Sequence, residues 1–130
     1  MHKLFASLTT VMLFWTLPLC ALSADSPDRL AEIARQKGLP VVVQFGDGKC
    51  APCLKQSAII KKVRPQLDSK IIFEFVHVRK ESKLTMDYKV WFTPTVVFID
   101  AKGNELSRYT GVKNADALRK ILEELGLAEF

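Results

Sequence analysis

Residues 41–53 read VVVQFGDGKCAPC: an apolar run, a glycine-rich turn, and two cysteines separated by two residues. The unbroken, β-branched run from Leu39 to Phe45 predicts a central strand that is buried on both faces. From Cys50 onward, apolar residues recur at helical spacing until Pro65 disturbs the pattern. The stretch therefore predicts a strand that leads through a short turn into a helix carrying both thiols at its start.

The predicted helix start makes the first cysteine chemically active. Unpaired backbone N–H groups and the positive end of the helix dipole stabilise a thiolate there, and Lys49 adds a neighbouring positive charge unless it is only a solvated side chain. We expect Cys50 to be the nucleophile and Cys53 to be the more buried resolving thiol. Lys49, Ala51 and Pro52 are candidate tuning residues, since Pro52 restricts the turn and lacks an N–H donor.

The first residues have a composition of their own. An uncharged, largely apolar run covers residues 4–22 and is typical of a secretory signal peptide over residues 1–24, with cleavage after position 23 or 24. Two alternatives stay open. The run of 19 residues is long enough to remain as an uncleaved membrane anchor, and Cys20 is a candidate lipidation site. Each of these predicts that the domain 25–130 is periplasmic or otherwise exported, where disulfides persist.

The composition favours one small globular domain and excludes several function classes. Apolar residues make up 48% of the 130 residues and charged residues 25%, which argues against disorder. The net charge of +5 falls to +4 without Lys3, and no compact basic tract interleaved with aromatics predicts nucleic-acid binding. Without Cys20, the two thiols of the motif are the only ones left, so neither a structural disulfide nor a four-ligand zinc site is expected. Leu54 stands where haem attachment needs His.

The remaining sequence predicts alternating helices and strands that close with a hairpin and a helix. The expected elements are a helix over 27–37 capped by Ser26, a strand over 71–78, a short helix or a loop near 84–88, strands over 95–99 and 105–109, and a last helix capped by Asn114. This order is typical of an α/β three-layer sandwich.

Four features in order resemble the thioredoxin-like family over residues 27–127. They are the strand leading into the C-x-P-C motif, the Thr93-Pro94-Thr95 segment, the hairpin with Gly103, and Gly111 before the last helix. The resemblance implies a thioredoxin-like three-layer sandwich with a mixed sheet of about four strands. It also implies that Pro94 is cis and that Thr93 and Pro94 form the substrate-docking edge beside the sulfurs.

Several residues depart from the family pattern. Lys49 replaces the tryptophan before the first cysteine, Gln44 replaces a buried acid that is thought to take the proton of the second cysteine, and Ala58 replaces a helix proline. A lysine near that acid is also absent. Glu74 is expected to face solvent, with a substitute proton acceptor as the alternative. We therefore predict a divergent, exported member of the family.

The sequence leaves alternative interpretations open for two further residues. His77 is an ordinary strand residue, or it is a proton relay or a ligand. Trp91 packs in the core or the hairpin, or it replaces the missing aromatic surface next to Pro94.

The function that these features favour is a thiol:disulfide oxidoreductase, with a reductase preferred over an oxidase. Its expected partners are disulfide-containing or dithiol proteins in the exported compartment and a membrane-bound electron donor. No cofactor and no resident metal are expected. The alternatives are a Cu(I)-handling module that uses the same two thiolates and a binding protein that keeps the fold without redox turnover.

Overall fold

The computed structural model describes residues 28–130. The predicted signal peptide over 1–24, its anchor alternative and Cys20 lie outside the described residues. None of the helices within 28–130 combines the length and the hydropathy needed to cross a membrane.

Four helices and four strands follow one another along the described chain, with one short 3-10 helix after the second α-helix. Their bounds are α1 Arg29–Lys37, β1 Val41–Gly46, α2 Ala51–Val63, the 3-10 helix Arg64–Gln66, β2 Ile72–His77, α3 Ser82–Asp87, β3 Thr95–Ile99, β4 Glu105–Thr110 and α4 Ala115–Glu124. The 3-10 helix contains Pro65, at the point where the sequence predicts that the helical pattern is disturbed.

The strands form one mixed sheet in the order β2-β1-β3-β4. β1 pairs in parallel with β2 and antiparallel with β3, and β3 pairs antiparallel with β4. Every residue of β1 is buried, because strands cover both of its edges and helices cover both of its faces. The predicted central strand and the predicted four-stranded mixed sheet are therefore confirmed.

Alternate residues of the central strands supply two separate cores. Val42 packs with apolar residues of α2 and α4 on one face of the sheet, whereas Val41 and Val43 pack with residues of α1 on the other. Burying such aliphatic side chains stabilises the fold by about 1.5–3 kcal/mol each. These two apolar layers confirm the three-layer sandwich.

The helix boundaries follow from their caps, with one correction. Asp28, not Ser26, caps α1, because its carboxylate accepts hydrogen bonds from the backbone N–H groups of Leu30 and Ala31. Gly38 ends α1 in the left-handed region at φ 63°. Asn114 caps α4, as predicted, by accepting from the N–H of the third helical residue at 2.8 Å.

Candidate active site

A disulfide joins Cys50 to Cys53 at the start of α2, with 5.2 Å between the Cα atoms. Cys50 is the cap residue of α2 in an extended conformation, and its Sγ accepts a hydrogen bond from the backbone N–H of Cys53 at 3.3 Å. Asp47 holds the preceding turn, since its carbonyl accepts from the N–H of Cys50 and its carboxylate accepts from the N–H of Lys49. The local sequence therefore places the Cys50 sulfur at the N-terminus of α2, where the first backbone N–H groups have no partner within the helix.

The two sulfurs differ sharply in access. Cys53 is fully buried at 0% exposure, whereas Cys50 is half-buried and is followed by the exposed residues Ala51 and Pro52. An approaching partner therefore reaches Cys50 first. Cys53 is the more buried of the pair, as the sequence predicts.

The end of β1 is built to fit closely under the disulfide. A Cβ added at Gly46 would lie 3.2 Å from the Cβ and 3.3 Å from the Sγ of Cys53, and 3.3 Å from the ring of Phe75. Since these separations are tighter than ordinary van der Waals contact, glycine lets β1 approach the second cysteine.

The Thr93-Pro94 segment faces the first sulfur from the other side of the site. The Thr93 Oγ1 lies 3.9 Å from the Cys50 Sγ, and the peptide bond between Thr93 and Pro94 is cis. The carbonyl of Pro94 accepts a hydrogen bond from the N–H of Gly111 at 2.8 Å, which ties this loop to the turn after β4. The structure thus brings together Cys50, Thr93 and Pro94, although they are more than forty residues apart in the chain.

A network of uncharged hydrogen-bonding side chains holds the backbone of Cys53. Gln44 is buried, and its Nε2 donates to the backbone carbonyl of Cys53 at 2.8 Å. Ser57 donates from its Oγ to the Gln44 Oε1 at 3.0 Å. Gln44 therefore satisfies both ends of its amide and fixes the first turn of α2, at the position where the family resemblance implies an acid. The sequence analysis missed Ser57, although a residue four positions after Cys53 shares its helix face.

Two basic residues and one acid belong to the turn before the disulfide and its ion pair. Lys49 is exposed. The nearby carboxylate of Asp47 is bound by Arg79 in an ion pair of 2.6 Å. Among residues 28–130, no group of three or more His, Cys, Asp or Glu side chains is placed to hold a metal ion.

Two interpretations made from the sequence are wrong: Glu74 as a substitute proton acceptor, and Trp91 as a residue of the core. Glu74 does not substitute for the missing acid, because its carboxylate accepts a hydrogen bond from Arg29 of α1 at 3.1 Å, on the sheet face opposite α2. Trp91 does not pack in the core, because it is 78% exposed. His77 packs edge-on against the ring of Phe75, with 5.0 Å between the ring centroids.

A comparison with known protein families covers nearly all of the described residues. The family model for a thioredoxin-like domain matches residues 28–126. This chain belongs to the thioredoxin-like family. Its matching region includes the disulfide, the Thr93-Pro94 loop and all four strands.

Individual relatives agree with this family. The thioredoxin-like chain is 28% identical over 101 residues to mitochondrial thioredoxin of Bos taurus, covering 78% of this chain and 60% of that protein. It is 29% identical over 110 residues to the thiol:disulfide interchange protein DsbD of Yersinia enterocolitica, covering 78% of this chain and 19% of that protein. The chain thus spans about three fifths of the length of the mitochondrial thioredoxin and a smaller part of DsbD.

Solved structures share the fold. The X-ray structure of Fasciola hepatica thioredoxin superimposes with a TM-score of 0.64 at 26% identity, covering 75% of this chain and 88% of that chain. The thioredoxin-like sandwich predicted from the sequence is therefore confirmed by an experimentally determined relative.

Proposed function

We propose that this chain is a thiol:disulfide oxidoreductase that reduces disulfides in exported proteins through a cycle of the Cys50 and Cys53 thiols. One observation carries the proposal. A half-buried sulfur at the start of a helix is bonded to a fully buried one three residues later. The family membership and the relative named as a thiol:disulfide interchange protein support the same chemistry.

The cycle uses only the protein's own two thiols as the reductant. In the reduced protein, the Cys50 thiolate attacks one sulfur of the partner disulfide, forms a mixed disulfide and releases the partner's other sulfur as a thiolate. Cys53 then attacks the Cys50 sulfur, restores the intramolecular disulfide and releases the partner's first thiol. The protein loses two electrons, the partner gains them, and the two protons of the Cys50 and Cys53 thiols are balanced by those on the released thiols.

The direction of electron flow is part of the proposal. Within residues 28–130, the fold has one thiol pair and no inserted helical domain, which favours a simple reductant. Stabilisation of the Cys50 thiolate at the start of α2 acts in the opposite sense, because it favours the reduced protein and raises the potential. A potential near −270 mV in glutathione or dithiothreitol buffers supports a reductase, and one near −120 mV overturns this direction.

The compartment and the electron donor are proposed from residues 4–22. An uncharged apolar run at the start of the chain is typical of export, and an exported reductase must be reduced again by a donor that passes electrons across the membrane. Fractionation of cells that express the full chain, with mass spectrometry of the mature N-terminus, tests this. Recovery of an unprocessed chain in the cytosol overturns the export proposal.

Trapping tests the function itself. Cys53→Ser removes the resolving thiol, so partners remain bound to Cys50 as mixed disulfides that run as adducts on non-reducing gels. The matched control is Cys50→Ser, which leaves only the buried thiol and captures few or none. Adducts with disulfide-bearing exported proteins support the proposal. An empty Cys53→Ser trap, or tight Cu(I) binding by the reduced protein against a competing chelator together with failure to reduce insulin, overturns it.

A further inference from the structure

Two large aromatic side chains stand in solvent next to the redox site. Trp91 is 78% exposed and Phe92 is 73% exposed, and they directly precede Thr93. Aromatic side chains of this size bury large areas when they are covered, and exposed apolar patches on soluble domains mark interaction sites. We call these two residues the aromatic platform.

The backbone holds the aromatic platform beside the reactive sulfur. The carbonyl of Phe92 accepts a hydrogen bond from the Thr95 Oγ1 at 2.7 Å, which fixes the bend before β3. The next residue, Thr93, lies 3.9 Å from the Cys50 Sγ. A chain segment whose cysteine reacts with Cys50 therefore passes next to the platform.

Positive charge lies beside the same site. The turn before the disulfide and the first half of α2, residues 47–57, contain one acid, Asp47, and its carboxylate is bound by Arg79. The same segment contains two exposed lysines, Lys49 and Lys55. We call these two the lysine rim. An incoming segment with carboxylates complements the rim, whereas a basic segment is repelled.

The backbone at Lys89 ends α3. Lys89 adopts a φ of 52° directly after the C-cap residue Tyr88, and the N–H groups of Lys89 and Val90 donate to the carbonyls of Met86 and Thr85. This is the common left-handed ending of a helix, and it sets the path of the chain into Trp91.

We infer that the aromatic platform and the lysine rim form the docking surface for an extended segment of a disulfide partner. That segment carries an aromatic or aliphatic residue beside its reacting cysteine and carboxylates around it. The inference rests on the proposed function and names the substrate class of the same site. The platform supplies affinity by apolar contact, and the rim supplies selection and the rate of encounter.

Synthetic peptides test this inference on the full domain. Each peptide carries one cysteine in a mixed disulfide with the chromophore 5-thio-2-nitrobenzoate. The reduced protein attacks the peptide sulfur, releases the coloured thiolate, and then frees the peptide thiol as the Cys50–Cys53 disulfide forms. Three peptides differ only beside the cysteine: one has Leu, Phe and two Asp, one has Gly, Ser and two Asp, and one has Leu, Phe and two Lys.

The expected result is a graded preference that depends on the platform. The apolar acidic peptide should react roughly tenfold faster than the peptide without apolar residues, as expected for loss of a well-packed aromatic contact. The apolar acidic peptide should also react faster than the basic peptide at low salt, and the ratio of these two rates should fall at 0.5 M salt. The double substitution of Trp91→Ala and Phe92→Ala should abolish the apolar preference.

A matched control separates this effect from general loss of surface aromatics. Phe130 is 47% exposed, and its ring lies against Arg119 of α4. Phe130→Ala should retain the wild-type preference. Equal rates on all three peptides, or an unchanged preference in the double variant, overturn the docking inference.

A small disulfide distinguishes failure of the docking inference from failure of the proposed function. Reduction of 2-hydroxyethyl disulfide by the pre-reduced protein requires the two thiols but no docking of a segment. If wild type and the double variant reduce it equally while the peptide preference is absent, the docking inference fails alone. If the wild type does not reduce it, the proposed function fails with it.

Discussion

Replacing Gln44 by Glu places a carboxyl group in the buried network below Cys53 without changing the length of the side chain. The protonated carboxyl can donate to the carbonyl of Cys53 and accept from Ser57, as the amide does. The ionised carboxylate cannot donate, and it would face a carbonyl oxygen that now receives a hydrogen bond at 2.8 Å. We therefore expect the folded Gln44→Glu variant to hold its proton well above the usual pH range of a glutamate.

The size of the effect follows from linkage. A glutamate has a pKa of about 4.3 in the unfolded chain, and buried glutamates reach about 8. Because the folded pKa is raised, the variant keeps its stability below pH 4.3 and loses it as the pH rises toward the folded value. At about 1.36 kcal/mol per pH unit, the loss at pH 7 relative to pH 4 is about 4 kcal/mol. A domain with about 5–15 kcal/mol of stability tolerates this loss, so it remains measurable.

Urea unfolding of the oxidised protein between pH 4 and pH 8 measures this slope. With a denaturant slope of about 2 kcal/mol/M, the midpoint of Gln44→Glu should fall by about 2 M relative to wild type over that range. Gln66→Glu makes the same chemical change at an exposed position, and its difference from wild type should stay nearly flat. A flat difference for Gln44→Glu as well would refute the reasoning, since the amide would then not depend on donating to Cys53.

Four further substitutions have expected effects on stability, three of them in the same urea unfolding assay and the last in thermal melting. Gly46→Ala should cost about 1–3 kcal/mol, because the added methyl meets the second cysteine and a ring at 3.2–3.3 Å. Gly48→Ala, whose nearest neighbour lies at 3.5 Å, should cost clearly less, and equal costs would contradict the close-fit argument. Hydrogen bonding from Arg29 holds the pKa of Glu81 below its ordinary value of 4.5, so this pair stabilises the fold above that pH and less so in acid. Arg29→Met should therefore lower stability at pH 7 by roughly 1 kcal/mol and reduce the acid-side slope, and a slope equal to wild type would contradict this. Asn114→Ala should cost about 1 kcal/mol by removing a helix cap, and circular dichroism melting checks it at neutral pH.

Local patterns in the sequence were sufficient for the sandwich and for the thiol pair. The apolar run into Cys50 predicts a buried central strand because only a strand covered on both faces can be continuously apolar. Helical spacing after Cys50 then predicts α2 and places the thiols at its start. These features depend on residues that are near one another in the chain, so periodicity alone captures them.

The contacts that refine the site depend on distant pairs, and the sequence could not provide them. Alternation along β2 puts Glu74 and Phe75 on opposite faces, but only the folded position of α1 shows that Arg29 takes the carboxylate. For Trp91 the sequence interpretation as a core residue is wrong. Its hydrophobicity predicts burial, but its position in the loop before Thr93 leaves it exposed. Hydrophobicity ranks residues by their average burial, and sites for partners are exceptions to that average.

Gln44 and the aromatic platform act on successive steps of the proposed cycle. The side chain that supports Cys53 is the amide of Gln44, which holds its backbone but cannot accept the proton of its thiol. Resolution of the mixed disulfide should therefore be slow relative to its formation, because Cys53 must lose its proton to water or to the partner. A slow second step favours a surface that keeps the partner in place, and the exposed Trp91 and Phe92 directly precede Thr93, whose hydroxyl lies 3.9 Å from the Cys50 Sγ. The amide at position 44 and the exposed aromatic residues therefore lead to one prediction. In the wild-type protein, the mixed disulfide with a preferred partner should last long enough to be observed by acid quenching. Substitution of Trp91 and Phe92 should shorten its lifetime.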